Sequence, residues 1–127
     1  MSNYQSVKAW QKAMDLAEAV YDAAETFARP GYFMLADQIR NAALSIPSNI
    51  AEGNGRGSYR DYRKFVFYAR GSAMEVETQI IFARRRKLIT EDMEKALLRR
   101  TVETARSINW LLKYLKTRMQ PARPEIE

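Results

Sequence analysis

Residues 58–88 read SYRDYRKFVFYARGSAMEVETQIIFARRRKL, and this stretch decides the fold class. Its apolar side chains recur at steps of three and four residues, at Tyr62, Phe65, Val66, Ala69, Ala73, Val76, Ile80 and Ala83. This spacing is typical of one face of an amphipathic helix and not of a strand. Ser58 precedes the pattern as a candidate N-cap, with Asp61 three residues later in a capping-box position. The stretch therefore predicts one long helix.

The same spacing occurs in three further segments, at about residues 6–28, 32–52 and 90–120. The chain has only five glycines and four prolines in 127 residues, so its elements must be long. The connections between them are short, which favours antiparallel neighbours. We therefore predict an all-α fold, an antiparallel up-down-up-down four-helix bundle. It forms a single domain over residues 1–120, followed by a loose C-terminal tail at 121–127.

Two residues inside these segments are poor helix formers. Pro47 lies within the second apolar pattern, and because the spacing carries across it, we predict one helix kinked near Pro47 instead of two helices. Gly71 lies in the middle of the third segment, where glycine costs up to about 1 kcal/mol relative to alanine. We interpret Gly71, with Ser72 and Ala73, as a small-residue patch where another backbone approaches closely.

Composition excludes several classes of function. The chain has no cysteine and no histidine, so a thiolate site, the commonest metal ligand and the commonest general base are all missing. No glycine-rich phosphate loop follows a strand, and no apolar run approaches the roughly 20 residues that cross a bilayer. The first residues lack the pattern of a secretory signal. We therefore expect a cytoplasmic protein that is not an enzyme, with no catalytic residue, cofactor, metal, membrane contact or small-molecule substrate.

Positive charge is concentrated in the third segment. The formal net charge is +6, and residues 58–89 carry eight basic and three acidic side chains, against three and four in residues 1–30. A basic balance favours acidic partners such as nucleic acid. Solubility alone is the other interpretation of a mildly basic protein.

Two clusters of basic residues are candidate nucleic-acid-binding sites. The first, at the end of the third segment, consists of Arg84, Arg85, Arg86 and Lys87. Cations there also interact favourably with the helix dipole, so phosphate binding and helix capping both stay open. The second cluster, at the other end of that segment, consists of Arg56, Arg60, Arg63 and Lys64. Tyr59 and Tyr62 interleave with it, either as stacking platforms for unpaired bases or, for Tyr62, as part of the core.

The second segment carries polar side chains among apolar neighbours, and we predict a structural polar network of Arg40, Asn49 and Glu52. A catalytic carboxylate pair is the alternative interpretation. The structural one is favoured because an unpaired buried charge costs several kcal/mol. We expect Arg40 or Arg56 to pair with Glu52.

Most aromatic residues fall on the core side by their spacing, among them Trp10, Tyr21, Phe65, Trp110 and Tyr114. Other apolar side chains flank the main stripe of the third segment, namely Phe67, Tyr68, Ile81 and Phe82. Apolar groups on more than one side of a helix indicate a second buried surface, consistent with contacts between subunits.

Residues 38–53, QIRNAALSIPSNIAEG, followed by Arg56 and Ser58, resemble the signature of the 23S rRNA intervening-sequence protein family, which are four-helix-bundle proteins of bacteria. Residues 69–72, ARGS, followed by two glutamates, resemble the second motif of that family. The chain departs from the pattern at Asn41, where family members usually carry an arginine, and this change removes one positive charge.

The resemblance implies a four-helix bundle that assembles as a ring-like homopentamer. It also implies similarity to the accessory protein of diversity-generating retroelements, for which binding to nucleic acid and to a reverse transcriptase has been inferred. We therefore expect a homo-oligomer, with a pentamer favoured, that binds RNA or DNA. Five copies of a +6 chain carry +30, enough to hold a polyanion that one copy binds weakly. A protein-interaction scaffold, with a protein partner and no affinity for nucleic acid, is the alternative.

Overall fold

The computed structural model describes residues 3–119, which fold into four long helices. Helix α1 spans Lys8–Glu25, α2 spans Phe33–Asn54, α3 spans Tyr59–Arg85 and α4 spans Glu91–Met119. A short 3₁₀ turn, Tyr4–Ser6, precedes α1. The helices pack in a closed square, α1 on α2, α2 on α3, α3 on α4 and α4 on α1. This is the antiparallel up-down-up-down four-helix bundle that the sequence predicts.

The predicted tail at 121–127 lies outside the described residues. None of the helices within residues 3–119 is long and apolar enough to cross a membrane.

One continuous core fills the bundle, and all four apolar stripes contribute to it. Its largest fully buried side chains are Phe27, Leu16, Ile39, Ile46, Ile50, Ile80, Ile108 and Leu115. A few polar groups are buried with them. Thr104 donates its hydroxyl to the carbonyl of Arg100 at 2.8 Å, so this buried group is satisfied within its own helix.

Helix α2 continues through Pro47 as a single element, which confirms the prediction of one helix over two. Pro47 has no N–H to donate to the carbonyl one turn earlier, so the helical ladder loses one bond at this point. Side chains on either side of the proline donate to nearby carbonyls, with Ser45 Oγ to Ala42 O at 2.7 Å, Ser48 Oγ to Leu44 O at 2.9 Å and Asn49 Nδ2 to Ser45 O at 2.8 Å. These bonds add local support to the helix around the missing bond.

The close approach of two backbones occurs at Gly53 and not at Gly71. Gly71 is exposed, and a Cβ added there would meet nothing within 4 Å, so the prediction of a close approach at Gly71 was wrong. A Cβ added at Gly53 would lie 2.7 Å from the Cβ of Phe65 and 3.0 Å from the carbonyl oxygen of Tyr62. The end of α2 can therefore pack against the start of α3 only because residue 53 has no side chain.

Candidate nucleic-acid interface

The antiparallel order of the helices sorts the charged side chains between the two ends of the bundle. When each helix is divided at its middle, one end contains residues 3–16, 44–72 and 105–119, and we call it the basic end. It carries eleven basic and three acidic side chains, a formal charge of +8. The other end, residues 17–43 and 73–104, carries nine basic and ten acidic side chains, a formal charge of −1, and we call it the mixed end. The positive charge of the described chain therefore lies at one end.

The first predicted cluster, Arg84, Arg85, Arg86 and Lys87, lies at the mixed end. The acidic first turn of α4, with Glu91, Asp92 and Glu94, belongs to the same end and offsets its charge. Arg86 donates Nη2–H to the hydroxyl of Tyr32 at 3.1 Å, which ties the end of α3 to the start of α2. These contacts favour the capping interpretation that the sequence left open.

Lys87 closes α3 in a left-handed conformation, with φ of 61°. The N–H of Lys87 donates to the carbonyl of Arg84 and that of Leu88 to the carbonyl of Ala83, both at 2.9 Å, which is the Schellman arrangement. Glycine usually occupies this position, since the left-handed region costs other residues about 1–2 kcal/mol. Lys87 therefore carries strain as well as charge at the end of α3.

The second predicted cluster lies at the basic end, and its member Arg56 lies in the turn between α2 and α3. Its Nη2 donates to Glu52 Oε1 at 3.0 Å, which is one of the two pairings predicted for Glu52. Its guanidinium also lies 4.7 Å from the centroid of the Phe65 ring. Both side chains of the ion pair are about half exposed, so the pair contributes only about 0.3–0.5 kcal/mol. Arg56 thus remains at the surface, where a phosphate can reach it.

The other three members of that cluster differ in how accessible their charged groups are to a ligand. Arg63 is partly buried and donates Nε–H to the carbonyl of Leu112 at 3.1 Å, so it joins α3 to α4. Arg60 and Lys64 are exposed on the first two turns of α3. The main role of Arg63 is therefore to join two helices, and Arg60 and Lys64 are the more accessible cations.

Sequence reasoning missed six exposed cations at the basic end. Arg70 and Arg106 lie near the middles of α3 and α4, and the other four are Lys8, Lys113, Lys116 and Arg118. These four come from the first turn of α1 and the last turns of α4, far from the start of α3 along the chain. The signal that identifies them is the topology, because antiparallel packing places the end of α4 beside the start of α3.

The predicted polar network separates into local contacts within the described residues. Arg40 pairs with Asp37 at 3.3 Å, and its guanidinium lies 5.8 Å from the centroid of the Tyr21 ring. Asn49 donates to a carbonyl one turn earlier, and Glu52 pairs with Arg56 as described above. Residues 3–119 contain no group of three acidic, histidine or cysteine side chains arranged to hold a metal ion.

A cavity of about 640 Å³ opens on the basic end, between the start of α1, the start of α3 and the last turns of α4. Trp110 on its wall is 65 % exposed, so the prediction that this residue belongs to the core was wrong. Its ring stacks on Tyr114, with centroids 5.5 Å apart and planes 8° apart. The guanidinium of Arg118 lies 5.0 Å from the centroid of the Tyr114 ring, which extends the stack along α4 at four-residue steps.

Tyr62 forms a buried part of the cavity wall and is only 4 % exposed, so it belongs to the core and is no open stacking platform. Its hydroxyl has no hydrogen-bond partner among the described residues, and neither has Nδ2 of Asn54. Burial raises the pKa of Tyr62, which the neighbouring Asn54 side chain partly offsets and Tyr114 reinforces.

The raised pKa of Tyr62 predicts a loss of stability in alkali. As the pH rises, the unfolded chain releases the phenolic proton before the folded chain does. The stability that the protonated Tyr62 contributes is therefore fully present below about pH 10 and is lost as the pH rises through the higher folded pKa. Tyr62→Phe is expected to remove this loss. It should also raise the free energy of unfolding by roughly 1 kcal/mol at neutral pH, because it deletes a buried hydroxyl without a partner.

Urea unfolding at pH 7 and above pH 10 measures both effects of Tyr62→Phe. Tyr59→Phe, at an exposed tyrosine of the same wall, is the matched control and should retain the alkaline loss. An alkaline loss of equal size in the wild type and in Tyr62→Phe would contradict the assignment.

Comparison with known proteins identifies relatives of this architecture. The family model described as 23S rRNA-intervening sequence protein matches residues 5–110, which include the first three helices and α4 as far as Trp110. Among solved structures, the chain is similar to a protein of unknown function from the S23 ribosomal protein family of Bacteroides thetaiotaomicron. The TM-score is 0.77 at 20 % identity, over 83 % of this chain and 98 % of that chain, and at this identity the likeness concerns the fold alone. No match is found among curated proteins.

Proposed function

Since this chain belongs to the 23S rRNA-intervening sequence protein family, we propose that it is a non-enzymatic, oligomeric protein that binds nucleic acid through the basic end of its bundle. The family description names no reaction and no ligand. The observation that carries the proposal is the uneven charge, with +8 at one end of the described chain and −1 at the other. RNA and DNA both present the phosphates that such an end attracts.

The accessible cations of the basic end supply the phosphate contacts. Arg60 and Lys64 on α3 and Arg56 in the turn after α2 combine with the exposed cations of α1 and α4. Each phosphate contact releases condensed counterions, so affinity falls steeply as salt rises. The run from Arg84 to Lys87 is a secondary contact in this proposal, because acidic side chains of the same end offset its field.

Exposed apolar side chains support the oligomeric part of the proposal. Phe67, Tyr68 and Phe82, which the sequence placed beside the main stripe of α3, are all exposed, and Ile81 is partly exposed. Met74 and Val102 line the groove between α3 and α4 and are also exposed. Apolar groups in such positions become buried when subunits associate. In a cyclic ring whose axis runs along the bundles, every basic end lies on the same face.

The test is fluorescence anisotropy of a labelled structured RNA and a labelled duplex DNA, titrated with the full chain at 50 and 150 mM salt. The oligomeric mass is measured by light scattering on the same samples. We expect sub-micromolar binding at low salt that weakens by about one to several orders of magnitude at the higher salt. A well-formed oligomer with no affinity at 50 mM salt would refute the proposal. That result would favour the scaffold, whose exposed apolar groove would then take a protein partner.

A further inference from the structure

We propose that the cavity at the basic end binds an unpaired nucleobase, with the adjoining phosphate held by Lys8 at the N-terminus of α1. This inference rests on the proposed nucleic-acid binding and specifies what is recognised, namely a flat heterocycle next to an anion. The same chemistry occurs in a free mononucleotide and in an unpaired nucleotide of a strand.

The size and the walls of the cavity fit a planar ring. Its volume of about 640 Å³ lies within the roughly 300–1,000 Å³ of small-ligand pockets. Trp110 and Tyr59 both present exposed aromatic surface on its wall, and Tyr114 backs the indole of Trp110 in a parallel stack. Nucleobases stack on such rings regardless of sequence, and the loss of one stack weakens binding by roughly tenfold or more.

The mouth of the cavity also suits an anion. Val7 and Lys8, at the start of α1, both line it, and no acidic side chain does. The N-cap of α1 is Val7, which makes no side-chain cap hydrogen bond, and the first turn has no acidic residue. The backbone N–H groups and the positive end of the helix dipole therefore reinforce the charge of Lys8. A phosphate seated there would satisfy groups that the chain leaves uncapped.

Tyr62 closes the floor of the cavity with its ring, and its hydroxyl is buried beside the Asn54 side chain, away from the open space. The groups that can meet an occupant are therefore the exposed rings of Trp110 and Tyr59 and the ammonium group of Lys8. Flat aromatic walls beside a cation suit a heterocycle that carries a phosphate better than an aliphatic side chain from a second copy.

The first experiment compares two labelled RNAs with the same number of phosphates, a hairpin with an unpaired loop and a fully paired duplex. We expect the full chain to bind the hairpin about tenfold tighter. Trp110→Ala should abolish this preference while leaving duplex affinity and its salt dependence unchanged, because Trp110 is exposed and uncharged. Phe33→Ala, at an exposed aromatic residue of the mixed end on the first turn of α2, is the matched control and should change neither quantity.

The second experiment titrates the chain with adenosine, guanosine, cytidine and uridine monophosphates and follows tryptophan fluorescence. Quenching in wild type that is absent in Trp110→Ala supports the cavity even if neither RNA binds, and it identifies free nucleotide as the source. Equal affinity for hairpin and duplex, together with no quenching, overturns the base site and leaves polyanion binding standing. Dissociation of the oligomer by Trp110→Ala assigns this side chain to a subunit contact and also overturns the proposal.

Discussion

Replacing Gly53 with alanine is expected to lower the free energy of unfolding by about 1–3 kcal/mol, the usual cost of forcing an extra carbon into a packed interior. The added Cβ would lie 2.7 Å from the Cβ of Phe65 and 3.0 Å from the carbonyl oxygen of Tyr62. Neither atom is the far end of a flexible side chain, so α2 and α3 must separate to make room. Urea unfolding followed by circular dichroism at 222 nm measures the change.

Gly71→Ala is the matched control, since it makes the same chemical change in the middle of a helix. A Cβ at residue 71 meets nothing within 4 Å, so only the gain in helix propensity remains. The expected result is a rise of up to about 1 kcal/mol in the free energy of unfolding. Two variants with the same decrease in stability would contradict the assigned close approach at Gly53.

These two glycines mark the limit of what periodicity predicts. The spacing of apolar residues identifies each of the four helices, and that prediction is confirmed. It also identifies most of the side chains that each helix buries, but Tyr21 and Trp110, both predicted to be core, are exposed. It does not give the distance between two helices, which depends on the side chains that meet at each crossing. Gly71 is conspicuous in the sequence because it interrupts a long helical pattern, whereas Gly53 stands among turn-forming residues that indicate only a loop.

For the candidate site too, the sequence predicts some features and the folded structure is needed for others. The sequence identifies the charges around Arg60 and Lys64, as well as the run that ends at Lys87. Two further features appear only when each charge is assigned to an end of the folded bundle. Acidic residues of α4 offset the charge of that run, and other cations lie together at the opposite end. The cavity could not be predicted at all. Trp110 falls on an apolar pattern, and only the packing of α1, α3 and α4 leaves its indole exposed.

Reversing two charges at the basic end, Arg60→Glu with Lys64→Glu, is expected to weaken nucleic-acid binding on the order of a hundredfold at 50 mM salt. The slope of log affinity against log salt should fall by about two, one for each phosphate that the variant no longer neutralises. Both side chains are exposed on the first two turns of α3, where acidic residues interact favourably with the helix dipole. The fold should therefore be retained, and a decrease in affinity can be assigned to binding itself.

The matched variant at the mixed end is Arg85→Glu with Lys87→Glu, which makes the same change in charge at two exposed positions near the end of the same helix. Its expected effect on affinity is several-fold at most, because the acidic first turn of α4 already offsets the field there. Anisotropy titrations of both variants at 50 and 150 mM salt make the comparison. If the mixed-end variant binds more weakly than the basic-end variant, the run of Arg84 to Lys87 is the principal phosphate site. The local density of cations along α3 would then outweigh the net charge of the end that surrounds them.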